Sequence, residues 1–235
     1  MIGLSNTMKT IQNTLAGLAF SALTLTANAK LQVATEGAEV GKWTQDFEAA
    51  KALAAEKKLP VLVNFTGSDW CHWCKIMDEN VFVGEAWKEY AAENAVLVTI
   101  DFPKDKSIVP EKFVDRNNEL KSQFGVRGFP TYIILDSDAT TQIGQLGAGK
   151  DKTPASFVEE FKAATKMSAG AIEEYIKANP DKAEAYKAAI AEDKAAMKEL
   201  EAWIETKPER NDENNAKFEA FQARIKAARE KLAEF

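Results

Sequence analysis

The sequence predicts an α/β domain with a mixed sheet, followed by an α-helical hairpin at the carboxyl end of the chain. The front of the chain indicates the α/β domain, because short β-branched runs alternate there with segments of helical spacing. The rear indicates the hairpin, because no glycine follows Gly170 and the remaining residues are rich in Ala, Glu and Lys. Composition therefore divides the chain near residues 165–170.

The composition is that of a soluble globular protein, with 46% hydrophobic and 28% charged residues among 235. A chain of this length buries enough apolar surface to fold without a disulfide scaffold, so its two cysteines need another explanation. The formal net charge of −6 gives no electrostatic attraction to nucleic acid or to an anionic membrane, both of which favour clustered positive charge. We expect neither as a partner.

The amino terminus has the pattern of a secretory signal peptide. An uncharged stretch over residues 15–25 follows Lys9 and precedes the small-x-small sequence Ala27-Asn28-Ala29. The stretch is shorter than the roughly 20 apolar residues that cross a bilayer. We therefore assign residues 1–29 to a signal peptide, and we expect no stable membrane insertion after its cleavage.

Export would place the mature chain outside the cytoplasm, in a bacterial periplasm or in the secreted fraction. Disulfides are permitted in such compartments, so a cysteine pair there is either oxidised for stability or used for redox work. Both Met1 and Met8 remain open as the start of translation, because the signal pattern follows either of them.

In the mature chain, residues 30–41 are predicted to be a linker and residues 42–166 to be the α/β domain. The predicted strands comprise residues 59–66, 95–100, 131–135 and 141–146. The predicted helices comprise residues 43–58, a segment that begins at about residue 71, and residues 111–124 and 156–165. The last two strands follow each other across an Asp-Ser-Asp turn, which makes the sheet mixed.

Residues 167–235 are predicted to be helical, with a short helix over 168–177 and two antiparallel helices joined near 207–212. Each long helix carries an apolar stripe, namely Tyr186, Ile190, Met197, Leu200 and Ile204, then Phe218, Phe221, Ile225, Ala228, Leu232 and Phe235. These stripes either pack on one another and on the α/β domain or bind a partner helix or a second copy of the chain. The sequence leaves both interpretations open.

Both cysteines lie in the motif Trp70-Cys71-His72-Trp73-Cys74-Lys75, directly after a predicted strand and at the start of a predicted helix. Residues three apart on a helix are close enough for a disulfide. A cysteine at a helix N-terminus lies near unpaired backbone N–H groups and the positive end of the dipole, which favours the thiolate. Cys71 is therefore the expected nucleophile, and Cys74 is the thiol that resolves the mixed disulfide.

Other interpretations of the motif remain open. A structural disulfide would close a very small loop, and the entropic stabilisation by a disulfide grows with loop length. A metal site of Cys71, Cys74 and His72 would suit Cu(I) or zinc, but the chain holds no further Cys or His for a closed four-ligand site. His72 is either a surface residue without a role or, when protonated, a group that stabilises the neighbouring thiolate.

Three segments together resemble the thioredoxin superfamily. They are the strand segment over residues 60–66, the cysteine motif over 70–75 and the segment Gly125-Val-Arg-Gly-Phe-Pro-Thr131. Their order is the family's order of strand, active-site helix and proline-containing loop. The Cys-His-Trp-Cys sequence is similar to that of bacterial extracytoplasmic thioredoxin-like proteins. The resemblance covers residues 42–166 and implies a thioredoxin fold for them.

The resemblance also implies roles for residues outside the cysteine pair. Pro130 would be a cis proline facing the disulfide, which opens the backbone of Phe129 to pairing with an extended substrate; a trans proline is the alternative. Asn64 lies near the place of a buried Asp that aids proton transfer in thioredoxins, and Asn cannot take up and return a proton. The remaining motif residues would support the site, the tryptophans as an apolar rim, namely Trp70, His72, Trp73 and Lys75.

The sequence thus predicts an exported thiol–disulfide oxidoreductase that exchanges disulfides with protein substrates through Cys71 and Cys74, with no organic cofactor. Its partners would be protein thiols or disulfides and a redox partner of unidentified kind, and the direction of electron flow is left open. Two alternatives are a redox-controlled binding module that uses the C-terminal helices and a Cu(I)-handling protein. Residues 102–110 form a long connection, either a surface excursion or one wall of a binding groove.

Overall fold

The computed structural model describes residues 31–235. The predicted signal peptide, residues 1–29, lies outside the described residues. Across the described part of the chain, no helix combines the length and the apolar character needed to span a membrane.

A six-stranded mixed sheet forms the centre of the α/β domain, as predicted. Its strands are β1 Val33–Ala34, β2 Trp43–Thr44, β3 Val61–Thr66, β4 Val96–Asp101, β5 Thr131–Leu135 and β6 Gln142–Gly147. They lie in the order β1-β2-β4-β3-β5-β6. The first four in this order are parallel, whereas β5 pairs antiparallel with β3, and β6 pairs antiparallel with β5.

Helices cover both faces of this sheet. They are α1 Phe47–Lys57, α2 His72–Met77, α3 Glu85–Asn94, α4 Glu111–Gln123 and α5 Pro154–Thr165. On one face, Val63 of β3 packs in a cluster with side chains of α1 and α4, including Phe47 and Leu120. On the other face, Leu62 packs with side chains of α2, α3 and α5, including Met77, Trp87 and Phe157. Because side chains alternate along a strand, Asn64 and Thr66 face the same side as Leu62, beneath α2.

The amino end of the domain differs from the prediction. Val33–Ala34, within the expected linker over residues 30–41, pairs with Trp43–Thr44 and adds an edge strand. The helix predicted over 43–58 begins only at Phe47, because the side chain of Asp46 accepts the N–H of Ala49 and caps it there. Short edge strands of two residues carry too few side chains to show a period of two, so the sequence pattern does not reveal them.

Two elements of the active-site side are absent from the prediction. Helix α3 has a short apolar stripe in which only Trp87 and Ala91 are buried, so its helical period is weak in the sequence. The segment Asp78–Phe82 continues α2 as a π-helical turn, in which the Val83 N–H donates to the carbonyl of Asp78 at 3.1 Å. Such turns are frequent at functional sites.

The helical region contains α6 Ala169–Ala178, α7 Ala183–Glu205 and α8 Asp212–Leu232. Helices α7 and α8 form the predicted antiparallel hairpin, in which Arg224 of α8 donates to Glu199 of α7 at 2.6 Å. Within the predicted stripe of α7, Ile204 is 49% exposed. Its neighbour Trp203 instead faces Phe221, at 5.7 Å between ring centroids. The facing side of a helix drifts against a strict seven-residue repeat, which explains the one-residue displacement.

The helical region is attached at the edge of the sheet opposite to the cysteine motif. The N–H of Ala169 donates to the carboxylate of Asp136 at 3.0 Å, and Lys58 forms a 2.6 Å ion pair with Glu173. Asp136 follows the end of β5 and Lys58 precedes β3, and these two positions share an edge because the two strands are antiparallel. The cysteine motif follows the other end of β3, so the attachment lies away from it.

Candidate active site

The two cysteines form a disulfide at the start of α2. Their Cα atoms are 5.3 Å apart, a separation that three residues of helix allow. Cys71 is the N-cap residue, and its Sγ accepts the backbone N–H of Cys74 at 3.2 Å. Cys71 is 6% exposed and Cys74 is 1% exposed. Cys71 is thus the more exposed of the two residues, and a backbone N–H donates to its Sγ.

A tight turn joins β3 to the disulfide. The carbonyl of Gly67 accepts the N–H groups of Trp70 and Cys71, at 3.1 Å and 2.7 Å. A Cβ atom at position 67 would lie 2.5 Å from the indole of Trp70. The turn therefore needs glycine so that the indole can fold back over it.

Exposed aromatic side chains surround the disulfide. Trp70 is 43% exposed and Trp73 is 44% exposed, although most tryptophans are largely buried. The ring of His72 lies 5.9 Å from that of Trp73, and both project into solvent. Exposed indoles of this kind supply a large apolar contact area with a polar N–H, which suits a protein-binding surface.

The proline-containing loop lies at the same sheet edge. The Phe129–Pro130 peptide bond is cis, as the resemblance implied. Thr131 pairs with Phe65 near the end of β3, which places Pro130 beside the turn that leads to the cysteines. The Phe129 ring contacts the Trp70 indole, with centroids 5.9 Å apart. The structure thus brings the predicted motif residues and the predicted proline loop together.

Asp69 ties residues 102–110 to the cysteine motif, a role that the sequence analysis missed. Its carboxylate accepts the backbone N–H groups of Lys104 and Asp105, at 3.0 Å and 2.9 Å. The N–H of Asp105 is the main cause that lowers the pKa of this carboxyl below its ordinary value. The Trp70 indole N–H also donates to the carbonyl of Phe102 at 2.8 Å. Part of this connection is therefore a wall of the site.

The ring of Phe102 extends this wall. It stacks on Phe129 with centroids 5.2 Å apart and an interplanar angle of 20°. The ammonium of Lys121 lies 5.4 Å from the Phe102 centroid and 5.5 Å from the Phe129 centroid. Together with Trp70, these groups form an aromatic surface next to the disulfide. Lys75 contributes differently, because its Nζ donates to the carbonyl of Asp69 at 2.7 Å and supports the loop before the cysteines.

A polar cavity of about 920 Å³ lies behind the motif, between β3, β4 and the π-helical turn. Asn64 lines it and is 1% exposed, and its Oδ1 has no hydrogen-bond partner among the residues that the structure describes. Asp101 also lines it, and accepts the N–H and the hydroxyl of Ser68 at 2.9 Å and 2.5 Å. Burial raises the pKa of Asp101, while these bonds from Ser68 lower it. The cavity thus contains acidic and polar side chains behind the cysteine motif, only some of which are hydrogen-bonded.

The cysteines and His72 do not form part of a larger ligand cluster. Within residues 31–235, no group of three or more His, Cys, Asp or Glu side chains has the arrangement of a metal site.

Comparison with known proteins identifies the family. Residues 42–137 match a thioredoxin-like family. The chain is 32% identical over 126 residues to the disulfide bond reductase DsbH of Chlamydia pneumoniae, a match that covers 54% of this chain and 74% of that protein. It is 29% identical over 111 residues to the thioredoxin-related protein DsbJ of the same organism, a match that covers 47% of this chain and 31% of DsbJ.

Among solved structures, a DsbH oxidoreductase is 28% identical, with a TM-score of 0.49, over 68% of this chain and 95% of that one. The sequence match to DsbH spans about three quarters of that relative's length. The chain belongs to the thioredoxin-like family and carries, in Cys71 and Cys74, the cysteine pair of a thiol–disulfide oxidoreductase.

Proposed function

We propose that this chain is an exported thiol–disulfide oxidoreductase that acts on protein disulfides, and that it works in the reducing direction. The observation that carries the proposal is a Cys71–Cys74 disulfide at the start of a helix, surrounded by exposed tryptophans and a cis-proline loop. The similar protein DsbH is described as a disulfide bond reductase, which supports the direction. The signal-peptide pattern over residues 1–29 supports export.

Cys71 is the attacking sulfur in this mechanism. In the reduced pair, the N–H of Cys74 that now donates to Cys71 Sγ would stabilise the Cys71 thiolate. The thiolate attacks one sulfur of a substrate disulfide, and the other substrate sulfur leaves as a thiolate. Cys74 then attacks Cys71, closes the Cys71–Cys74 disulfide and releases the second substrate thiolate. The substrate gains two electrons and the cysteine pair loses two.

The aromatic surface and the proline loop would hold the substrate during this exchange. An extended segment of a protein substrate can pair with the backbone of Phe129, directly before Pro130. Its apolar side chains would contact Trp70 and Trp73, which are exposed for this purpose. The electron donor that reduces the pair again is a further protein partner of this site.

Insulin reduction in the presence of dithiothreitol tests the activity. We expect turnover that disappears in Cys71→Ser. The matched variant Cys74→Ser keeps the attacking sulfur and should accumulate a mixed disulfide with the substrate, visible by mass spectrometry. Turnover that persists in Cys71→Ser would contradict the proposal.

The equilibrium potential of the pair against glutathione tests the direction. A value near that of thioredoxin, about −270 mV, agrees with reduction, and a value near about −120 mV would indicate oxidation instead. Amino-terminal sequencing of the protein from an exporting host tests export and signal-peptide cleavage, with Lys30 as the expected first residue.

A second candidate function is protein binding by the helical region. One observation favours it, because Ile204 is 49% exposed and Phe218 is 37% exposed near the tip of the α7–α8 hairpin. Replacement of both by Ser should then abolish capture of a partner while insulin reduction continues unchanged.

A further inference from the structure

The polar cavity behind the disulfide contains several acceptors that are out of contact with solvent and have no hydrogen-bond partner among residues 31–235. They are Asn64 Oδ1, Thr66 Oγ1, Asp78 Oδ1 and Thr99 Oγ1. Buried polar atoms in native proteins are satisfied by protein or by ordered water, and a space of about 920 Å³ has room for several waters. The cavity is therefore a site for ordered water beneath the redox pair.

Asp78 and Glu79 both line this cavity from the π-helical turn that continues the cysteine helix, and Asp78 is the less exposed of the two. Asp78 follows Cys74 by four residues, and its N–H donates to the carbonyl of Cys74. Side chains four apart lie on the same helix face, with Cβ atoms about 5–6 Å apart. Asp78 also begins the π-helical turn, because its carbonyl accepts the N–H of Val83. Its side chain thus lines the cavity one helical turn after Cys74 in the chain.

The groups that face Asp78 favour its protonated form. Asp101 on β4 and the adjacent Glu79 are both acidic, and Tyr132 on β5 contributes a buried hydroxyl without a partner. The Lys75 ammonium, also at the cavity, is directed to a main-chain carbonyl of the preceding loop. Burial, and after it the charge of Asp101, raises the pKa of Asp78 to about 7. A group with such a pKa exchanges its proton readily at neutral pH.

The two buried acids of the cavity differ in their bonding. Asp101 accepts both the N–H and the hydroxyl of Ser68, which fixes the loop that leads to the motif. Asp78 has one oxygen, Oδ1, that finds no hydrogen-bond partner in the described part of the chain. A carboxyl that is not committed to a fixed hydrogen bond can gain and lose a proton without disturbing the structure. This difference favours Asp78 over Asp101 as the group that changes protonation.

We propose that the Asp78 carboxylate accepts the proton of Cys74 during resolution of the mixed disulfide, directly or through cavity water, and passes it to solvent through the cavity. The inference rests on the proposed function. It also explains how a chain with Asn64 on β3 can manage this proton, because the acid is supplied by the helix instead of the strand. In this fold the π-helical turn carries the acid.

The step balances as follows. The Cys74 thiol gives its proton to the Asp78 carboxylate, and the resulting Cys74 thiolate attacks Cys71 Sγ. The bond between Cys71 and the substrate sulfur breaks, the Cys71–Cys74 bond forms, and the substrate leaves as a thiolate with the electron pair. The Asp78 carboxylic acid then releases its proton to water in the cavity. When a donor reduces the pair, the acid returns a proton to the Cys74 thiolate.

Rapid mixing of the reduced full chain with the reagent DTNB separates the two thiol steps. Attack by Cys71 releases one chromogenic thiolate, and resolution by Cys74 releases a second. We expect Asp78→Asn to leave the first phase unchanged and to slow the second by roughly 10²-fold at neutral pH. We also expect the pH dependence of the second phase near neutrality, present in the wild type, to disappear in this variant.

Glu79→Gln is the matched control, because it removes the same charge from the next residue. It should keep both phases and only shift the pH midpoint of the second-phase rate to lower pH, because the charge of Glu79 helps to raise the pKa of Asp78. An unchanged second phase in Asp78→Asn would overturn the inference, as would equal slowing of both phases. So would a second phase that loses its pH dependence near neutrality in Asp101→Asn instead of in Asp78→Asn. A wild-type chain that shows no second release would overturn the proposed function itself, which keeps the two failures distinct.

A measurement on the wild type covers the case in which Asp78→Asn does not fold. The side-chain carboxyl carbon of Asp78, followed by NMR, should titrate near neutral pH, and its midpoint should differ between the oxidised and reduced pair. A midpoint near the ordinary Asp value in both redox states would overturn the inference.

Discussion

The α/β domain and the helical region are stabilised in different ways. Trp87 of α3 is 1% exposed and lies within 5.8 Å, between ring centroids, of three phenylalanines, Phe82, Phe157 and Phe161. Trp203 of α7 has two aromatic neighbours, one of which, Phe218, is 37% exposed. The same side chain is thus fully enclosed in one region and only partly covered in the other.

The polar contacts show the same contrast. At the cysteine edge, carboxylates accept backbone N–H groups, as Asp69 does from Lys104 and Asp101 does from Ser68. At the opposite edge, Asp136 accepts the Ala169 N–H in the same way, but the second contact is an ion pair between Lys58 and Glu173, whose side chains are 60% and 62% exposed. Bonds to backbone donors fix a loop in one geometry, whereas exposed ion pairs contribute little. The cysteine edge is thus fixed by several bonds of the first kind, whereas the attachment of the helical region combines one such bond with an exposed ion pair.

The largest effect that would sharpen this contrast concerns the two tryptophans. Trp87→Ala should lower the free energy of unfolding by about 3–5 kcal/mol, because it leaves a large cavity in a packed aromatic cluster. Trp203→Ala, the control in the less enclosed region, should lower it by about 1 kcal/mol. Urea unfolding followed by circular dichroism measures both. Equal losses would show that the hairpin is as tightly packed as the domain.

A second effect concerns the buried acid of the cysteine edge. The folded pKa of Asp78, about 7, lies above its ordinary value of 3.8, so its contribution to stability is present in full below the ordinary value. This contribution is lost as the pH rises through the folded value, since the native state binds the proton more tightly. Between acid and mildly alkaline pH, we expect the free energy of unfolding to fall on the order of 2–4 kcal/mol through this group.

Asp78→Asn should remove this part of the pH dependence, so that the variant gains stability relative to the wild type as the pH rises to 8 or so. Thermal unfolding at a series of pH values measures it. Glu79→Gln should retain most of the dependence. If the wild type and Asp78→Asn showed the same change in stability between pH 4 and 7, the raised pKa of Asp78 would be contradicted. Together with the DTNB kinetics, the unfolding series would show whether Asp78, which destabilises the fold at neutral pH, is needed for thiol exchange.

A third effect concerns the loop that Asp69 holds. Asp69→Ala removes the acceptor of the Lys104 and Asp105 N–H groups, so the wall formed by Phe102 should move away from Trp70. We expect kcat/KM for insulin reduction to fall on the order of tenfold, because a displaced wall misplaces the substrate. The DTNB attack phase should hardly change, since a small reagent does not need the wall.

Asp69→Asn keeps one oxygen as an acceptor and should restore part of the insulin activity. An Asp69→Ala variant with unchanged insulin kinetics would show that residues 102–110 do not contact the substrate. Because Asp69 lies on the surface, the same variant should unfold at nearly the wild-type temperature. Activity and stability therefore separate at this position, unlike at Trp87.

The sequence predicted those features that depend on neighbours along the chain. The cysteine motif, the helix that begins after Cys71 and the strand over Thr131–Leu135 follow from local spacing. The cis bond at Pro130 required the family resemblance. Each of these signals is carried by a few adjacent residues, which is why a single sequence was enough.

The features that the sequence did not reveal depend on residues far apart. Asp69 meets the Lys104 N–H across 35 positions, and Ser68 meets Asp101 across 33. Asp78 has the spacing of an ordinary surface residue of a helix, and only the packing of α2 on the sheet brings it into a cavity with Asn64. A polar residue four positions after the second cysteine, on the face shared with it, was the one local signal of this arrangement.

The smallest effect concerns the ion pair that joins the two regions. Lys58→Ala removes the partner of Glu173, and because both side chains are exposed and screened by salt, we expect no measurable change in the unfolding temperature. Asp136→Asn is the informative comparison, since Asp136 is largely buried and accepts the Ala169 N–H at the start of α6. It should loosen α6, as measured by faster amide hydrogen exchange there, without changing either DTNB phase. Slower thiol exchange in Asp136→Asn would mean that the two edges of the sheet are coupled, and the hairpin would then have a part in the redox chemistry that its place in the fold does not suggest.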